Sequence, residues 1–552
     1  MRRYISSFIA GLVILCVMTW LIVTFVDNPE IKNLPLYTFS TVSRIVITLL
    51  ISVAWGVSFG IFAATNKWAS LILTPFIDLL QSIPILGYFP MVIGFLIALG
   101  PWGNELSVIV LLFTSMAWAI FFGVLGAVRG IPTNVVESAQ SFGLTGWRYT
   151  RHVVLPAITP AVVSGANLAW CDGWFFMIAA EYIQYKGNVV IPPSGGLGSL
   201  LARAAYEWQD MHLAIILLVF ITFIVVYFNT LTWHKLMERA STGTFKPVFR
   251  MDLSGVGKLG VARATSWLHF GRLHWPKSFS IASQRLRKYS YIEKIIAAAL
   301  ALSAVFFVLY LVFGQFPSLA IISGGFNEPP AQELVNLPVL IALTMGRLTI
   351  AYGISLAVAI GMGVLAAEHK RFATVFYPIY DIGQGVPILA LFPVIFLGLK
   401  ELLGIGIALE LTCIITLVLD MIWYMFLNIV SAVKNIPTEI KEVGQLFGFK
   451  GFKRITHLVI PSILPSIVTG SILSWGTGWN TIIFAEYLPS TSGAQPVSVS
   501  GIGSLLDKAG YEYGNTVVLI FMLGIIAAIV LSMEALIWRR LLRKFEKYHI
   551  EV

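Results

Sequence analysis

The strongest constraint on the fold of this chain is an internal repeat. Residues 131–156 and 436–461 are two versions of one polar stretch, and a constant offset of 305 residues aligns them. The residues that match at this offset are Pro132, Glu137, Phe142, Gly143, Gly146, His152 and Pro156 in the first copy, and Pro437, Glu442, Phe447, Gly448, Gly451, His457 and Pro461 in the second. The chain is therefore two copies of one structural unit.

The rest of the chain has the composition of a membrane protein. Of its 552 residues, 57% are hydrophobic and only 12% are charged. A spanning helix needs about 20 mostly apolar residues. On that criterion the first half contains segments at 5–26, 39–64, 69–99, 105–128, 158–183 and 211–234, and the second half at 293–314, 335–367, 372–399, 405–433, 463–488 and 515–538. The sequence predicts an all-α polytopic membrane protein with six helices in each half.

The third segment of each half contains matching prolines. Pro84 and Pro90 correspond to Pro387 and Pro393. Proline removes a helical hydrogen bond, so we expect both segments to be kinked or broken. Residues 1–236 and 293–552 are the predicted transmembrane halves. Residues 237–292, rich in Lys and Arg, form a predicted cytoplasmic basic linker on the membrane surface.

Positive charge predicts the orientation in the membrane. Lys and Arg cluster at the N-terminus, in both repeated stretches and at the C-terminus, which predicts a multi-pass plasma membrane protein with both termini cytoplasmic. The net charge of +10 follows from this pattern, so no nucleic-acid partner is expected. Because each half has an even number of spans, the halves insert the same way up, and a pseudo-two-fold axis along the membrane normal relates them.

Each repeated stretch has the pattern of a short helix outside the membrane. Proline opens it and a glycine follows it, as at many helix ends. Val135, Ala139 and Phe142 recur at helical spacing and give one apolar face. Such a helix is either a connector packed on its own bundle or a docking surface for another protein. Its duplication favours docking.

The Glu-to-Gly-to-Pro spacing of both copies resembles the EAA loop of binding-protein-dependent ABC importer permeases. The resemblance implies a type I-like permease fold. In that family the loop is the coupling helix that docks on the ATP-hydrolysing subunit. The resemblance implies ATPase-docking roles for Glu137, Ala139, Phe142, Gly143, Glu442, Gly444, Phe447 and Gly448. The first copy has Ser138 and Ala139 after the glutamate, whereas the second departs further with Val443 and Gly444.

The resemblance also implies the partners. They are two ABC ATPase subunits, which carry ATP and Mg²⁺, an extracytoplasmic solute-binding protein, and the lipid bilayer. The chain itself shows no catalytic or metal site: Cys16, Cys171 and Cys413 lie in apolar segments without metal-ligand spacing. Residues 255–260 resemble a phosphate loop only superficially, because Leu259 follows the lysine where Ser or Thr is needed. No cofactor and no enzymatic activity are expected in this chain.

Polar residues inside apolar segments are candidates for the transport pathway. Asp78 and Gln81 match Asp381 and Gln384, just before the helix-breaking prolines. They either line the pathway between the halves or satisfy backbone groups that the prolines leave free.

The fifth segments are rich in Trp and end in Ala-Glu. Trp174 and Glu181 match Trp479 and Glu486, and Gly-Leu-Gly (196–198) or Gly-Ile-Gly (501–503) follows. This arrangement resembles the nitrate/sulfonate/taurine/bicarbonate branch of these permeases. Arg44 and Arg347 match as well: they pair with the glutamates, extend to lipid headgroups, or present a positive charge to an oxyanion.

The sequence thus predicts the transmembrane permease of an ATP-driven ABC importer for a small solute, an oxyanion or sulfonate by its resemblance. The alternative is a twelve-helix secondary transporter driven by an ion gradient, which also has two parallel halves. The matched loops after the fourth span of each half favour the importer.

Overall fold

The computed structural model describes residues 2–26, 28–185, 188–241, 331–434, 436–449, 451–488 and 497–545. In the first half the helices are α1 (Arg2–Phe25), α2 (Leu34–Thr65), α3 (Lys67–Ser82), α4 (Ile85–Leu96), α5 (Pro101–Arg129), α6 (Thr133–Ser141), α7 (Gly146–Tyr149), α8 (Leu155–Glu181), α9 (Leu197–Ala202), α10 (Met211–Phe228) and α11 (His234–Ser241). The predicted linker, from residue 242 on, and the predicted segment 293–314 lie outside the described residues.

The second half repeats this order. Its helices are α12 (Leu337–Glu368), α13 (Lys370–Gly385), α14 (Ile388–Leu403), α15 (Ile405–Lys434), α16 (Thr438–Leu446), α17 (Gly451–Arg454), α18 (Ile460–Ala485), α19 (Ile502–Asp507), α20 (Thr516–Met533) and α21 (Arg539–Phe545). Even the π turns recur: Arg203–Glu207 matches Lys508–Glu512, for example. Repetition of such irregular turns indicates that one fold was duplicated whole.

Local chemistry explains where the helices begin and break. Asn66 caps α3 by accepting hydrogen bonds from two backbone amides, and Asp210 and Asn515 cap α10 and α20 by accepting one each. Pro84 and Pro387 stand at the breaks before α4 and α14, whereas Pro90 and Pro393 lie inside those helices. The predicted interruption of both third segments is confirmed, and the break falls at the first proline of each pair.

Among the described residues, eight helices are long and apolar enough to cross a membrane. They correspond to eight of the twelve predicted segments. The other four are the first, which forms α1; the two third segments, each split into a pair of shorter helices; and 293–314. The fold is helical almost throughout, as predicted, apart from two short antiparallel hairpins that the sequence did not indicate. These are β1 (Ile183–Tyr185) with β2 (Asn188–Val190), and β3 (Tyr487–Leu488) with β4 (Val497–Ser498).

Each half is built around three long helices. In the first, α5 packs along both α2 and α8, and in the second α15 packs along α12 and α18. Close approach depends on small residues. A Cβ at Gly56 or Gly60 of α2 would collide with Ile120 or Val124 of α5. Membrane helices associate through such small-residue faces, because lipid provides no hydrophobic driving force between them.

The broken helices join the two halves. Helix α4 of the first half packs on α18, α19 and α20 of the second, and α14 packs reciprocally on α8, α9 and α10. We call this contact the seam. The segments 197–207 and 502–512, each a short helix followed by a π turn, are called the cap segments. Both cap segments contact the broken helix of the opposite half.

Candidate functional site

The two repeated stretches fold into the short helices α6 and α16 with exposed ends. Gly143 and Gly448 each have φ of 70° and end the helix in the left-handed conformation that glycine adopts without strain. Phe142 is 84% exposed and Phe447 73% exposed. Glu137 and Glu442 are also exposed. A large aromatic ring left in solvent at the same place in both halves indicates a surface made for contact.

Two predicted docking residues face the other way. Ala139 is only 5% exposed, and a Cβ at Gly444 would clash with Leu458. The buried neighbour of Ala139 on α6 is Val136, whereas Val135 is exposed. Both residues therefore pack against the permease itself, and their docking role stays a prediction. In α16, the small residue Gly444 lets the helix lie close to Leu458 of the permease's own π turn.

A groove runs beside α6. It has a volume of about 420 Å³ and is lined by Ala127, Gly130, Ile131, Pro132, Val135, His152, Val153 and Ala157. These residues come from the end of α5, the start of α6 and the entry to α8. The exposed surface of α6 thus continues into a partly apolar recess.

The matched arginine of the first half lies in a buried network that we call the first clamp: Thr41, Arg44, Glu105 and Glu181. Arg44 donates from Nη1 to Glu181 Oε1 at 2.7 Å, and from Nε and Nη2 to both oxygens of Glu105 at 2.9 Å. Its remaining donors reach Gly195 O and Ser194 Oγ. All five guanidinium donors are therefore used.

The second clamp repeats this geometry with Thr344, Arg347, Glu410 and Glu486. Arg347 Nη1 donates to Glu486 Oε1 at 2.8 Å, and Nε and Nη2 donate to Glu410 at 2.7 and 2.6 Å. Nη1 also donates to Ser500 O at 2.9 Å. Among the three interpretations of the arginines, the structure shows the ion pair.

Each clamp holds a glycine loop. Gly198 N donates to Glu181 Oε2 at 2.8 Å, and Gly503 N donates to Glu486 Oε2 at the same distance. A Cβ at Gly196 or Gly501 would clash with the glutamate carboxylate. This close approach is the physical reason for the Gly-x-Gly sequences. Burial of a carboxylate requires such dense pairing, since an isolated buried charge is strongly unfavourable.

The sequence analysis missed Glu105 and Glu410. The two glutamates match at the offset of 305, so the repeat could have indicated them. Each lies at the start of an apolar segment, where burying a carboxylate costs little free energy. Trp174 and Trp479, predicted for the pathway, are 1% and 3% exposed and belong to the core. Asp78 and Asp381 lie within α3 and α13; Gln81 is exposed and Gln384 half-buried, next to the breaks.

A second pair of acids lies at the seam. Asp172 of α8 is half-buried and Asp420 of α15 is 4% exposed. The two carboxylates, from opposite halves, are close enough for their charges to interact. Thr481 donates to Asp420 Oδ2 at 2.8 Å. These two aspartates are not matched across the repeat, because Ser115 and Thr477 occupy the equivalent positions.

Comparisons with known proteins agree with this architecture. The family of binding-protein-dependent transport system inner membrane components matches twice, at residues 56–240 and 359–545. The two matches together cover more than half of the chain and correspond to its two halves.

Relatives of this chain are permeases. It is 24% identical over 210 residues to an ABC transporter permease protein of Methanocaldococcus jannaschii, 29% identical over 145 residues to a taurine transport system permease protein of Escherichia coli, and 27% identical over 165 residues to a bicarbonate transport system permease protein of Synechococcus elongatus. These stretches are 36%, 26% and 30% of this chain, and 74%, 50% and 58% of the respective relatives. The chain belongs to the family of inner membrane components of binding-protein-dependent transport systems.

Proposed function

We propose that this chain provides both permease halves of an ATP-driven importer, fused in one polypeptide. Two ATPase subunits, which carry ATP and Mg²⁺, dock on α6 and α16 from the cytoplasm. A solute-binding protein delivers substrate to the opposite face, and both termini are cytoplasmic. The observation that supports this proposal best is the exposed aromatic ring at the end of each matched helix, Phe142 and Phe447.

The geometry provides a route for force. Helix α6 follows α5 after a three-residue turn and leads through α7 and a π turn into α8. Because α5 and α8 pack along each other, displacement of α6 moves two long helices together. Closure of the two ATPases would thus draw both halves toward each other at one membrane face and change the seam at the other.

Docking is tested by placing charge on both aromatic ends. The double variant Phe142→Asp and Phe447→Asp should lose association with the cognate ATPase, because each ring would fill an apolar pocket of the partner. We expect about 2 kcal/mol per site, or roughly thirtyfold in affinity. Pull-down of the purified ATPase by the full chain in nanodiscs measures the loss.

Trp102→Asp is the matched control. Trp102 is 83% exposed and lies at the end of α5 remote from α6. Its replacement should leave ATPase binding unchanged. Equal weakening by the control and the double variant would contradict the docking assignment.

The substrate class is proposed from the relatives and the seam. Among relatives whose names state a substrate are permeases for taurine, bicarbonate and nitrate. Asp172 and Asp420 contribute one carboxyl group from each half, and a carboxyl group can accept hydrogen bonds from a positive group of the solute. We propose a zwitterionic sulfonate of the taurine type over a simple oxyanion.

The charged group of the substrate can be tested with a matched ligand pair. Ethanesulfonate keeps the sulfonate of taurine and lacks its ammonium group. Proteoliposomes with the full importer should take up taurine faster, and Asp172→Asn or Asp420→Asn should narrow the taurine-to-ethanesulfonate ratio by about tenfold, the effect of one charge-assisted hydrogen bond. Glu368→Gln, which removes a carboxylate that is paired with Arg454 away from the seam, is the control. An unchanged taurine-to-ethanesulfonate ratio in both Asp172→Asn and Asp420→Asn would exclude a zwitterionic substrate.

The family match disfavours the alternative of an ion-driven secondary transporter. The family match places the chain among components of binding-protein-dependent systems, and an ATPase partner accounts for the exposed ends of α6 and α16. Uptake that requires ATP and the binding protein separates the two functions.

A further inference from the structure

The two clamps do more than bury charge, because each fixes a cap segment that belongs to the seam. Thr41 Oγ1 donates to Glu181 and accepts from Leu197 N at 2.9 Å, the first residue of α9. Thr344 Oγ1 likewise donates to Glu486 and accepts from Ile502 N at 2.9 Å. The start of each cap segment is therefore tied to the second span of its own half by a threonine hydroxyl, and the next amide, of Gly198 or Gly503, donates to the buried glutamate.

The far end of each cap segment reaches the other half. In the second cap segment, a Cβ at Gly510 would clash with Pro90 of α4. Tyr511 Oη donates to Leu86 O at 3.4 Å. A Cβ on Gly87 would clash with Leu523 and would lie 3.2 Å from Leu506 of the same cap segment. This packing closes the seam against the broken helix of the first half.

One further bond crosses the seam at the break itself. Ile85 N has no helical carbonyl to bond because Ile85 is the first residue of α4, and it donates to Asn480 Oδ1 of α18 at 2.7 Å. Helix α18 also carries Glu486 immediately after its end. The broken helix of one half is thus held by the elements that the clamp of the other half fixes.

We propose that the clamps are positioning devices for the closed seam: Arg347 and Glu410 act through the second cap segment on α4 of the opposite half, and Arg44 and Glu105 act on α14. The proposal rests on the proposed function in that the seam is the face that opens during transport. In the described contacts, Glu410 and Glu105 do not touch the opposite half. Each accepts hydrogen bonds from an arginine, and that arginine also donates to the buried glutamate.

The test is amide hydrogen exchange of the full chain in nanodiscs, which requires neither substrate nor ATPase. Glu410→Gln removes the charge of the less buried glutamate, whose side chain is 46% exposed, and we expect the variant to fold. It should speed exchange at 502–512 and also at Ile85 and Gly87 in the opposite half, on the order of tenfold, as expected from the loss of one charge-assisted hydrogen bond. Exchange in α14 should stay unchanged.

Glu368→Gln is the matched control, since Glu368 forms an ion pair with Arg454 at 2.9 Å away from the seam. It should alter exchange only near that pair. The reciprocal variant Glu105→Gln should act on 197–207 and on α14. Faster exchange confined to the mutated half, or an effect of Glu410→Gln at Ile85 no larger than that of Glu368→Gln, would overturn the proposal. Because exchange is measured without transport, either result stands apart from the fate of the proposed function.

Discussion

Single buried charges in this chain are compensated in very different ways. Glu181 and Glu486 are almost fully buried and accept hydrogen bonds from arginine, threonine and a backbone amide. Asp507, in the cap segment after the second clamp, is 3% exposed, yet its Oδ1 has no hydrogen-bond donor among the described residues. Ala202 occupies the equivalent position of the first half. The carboxylate is therefore a local feature of one half.

This asymmetry predicts a pH-dependent stability. Burial, with a smaller contribution from Glu486, raises the pKa of Asp507 well above its usual range near 4. The folded state then binds the proton more tightly than the unfolded state, so stability is complete below about pH 4 and falls as pH rises toward the folded pKa. Asp507→Ala, which copies the first half, should raise the midpoint of thermal unfolding at pH 8 by an amount worth about 1–3 kcal/mol and have little effect at pH 4.

A surface carboxylate provides the comparison. Glu439→Ala changes an exposed residue of α16 and should leave the pH dependence of unfolding as it is in the unmodified chain. Unfolding curves of Asp507→Ala that are shifted equally at both pH values would show that the gain comes from packing and not from the buried carboxylate.

The helices show which structural features could be predicted from the sequence pattern and which could not. Apolar runs of about 20 residues predicted the long spans, and paired prolines predicted the breaks before α4 and α14. The hairpins β1–β2 and β3–β4 were not predicted, because strands of two or three residues between helices leave no periodic pattern. The face of α6 was predicted only in part: helical spacing permits Val135 or Val136 to be the buried residue, and tertiary packing selects Val136.

The clamps show the same limit at the level of contacts. The sequence indicated Arg44 and Glu181 by their matched counterparts and left pairing as one of three interpretations. The structure shows the pair with Glu181 and adds a second partner, Glu105, a residue 61 positions away from Arg44 in sequence. Contacts of that range depend on how α2 and α5 pack, and no local signal reports it. The glycines of the Gly-x-Gly loops were visible in the sequence. The sequence did not show that a carboxylate approaches them too closely for a Cβ atom.

The whole molecule combines two equivalent units with a reciprocal seam. Each half contributes one exposed helix, one clamp and one broken helix that packs on the other half. A motor that draws α6 and α16 together can act on both sides of the seam at once. Such coordination requires that the two exposed helices lie at the same membrane face, which is the central claim about this protein.

Sided labelling of single cysteines tests that claim most directly. In a background without Cys16, Cys171 and Cys413, a cysteine replaces Phe142, Phe447 or Trp102 in turn. A membrane-impermeant maleimide should modify F142C and F447C in inside-out vesicles and leave them unmodified in right-side-out vesicles, whereas W102C should show the reverse. Modification of F142C and F447C from opposite faces, or of both from the outside, would contradict the account.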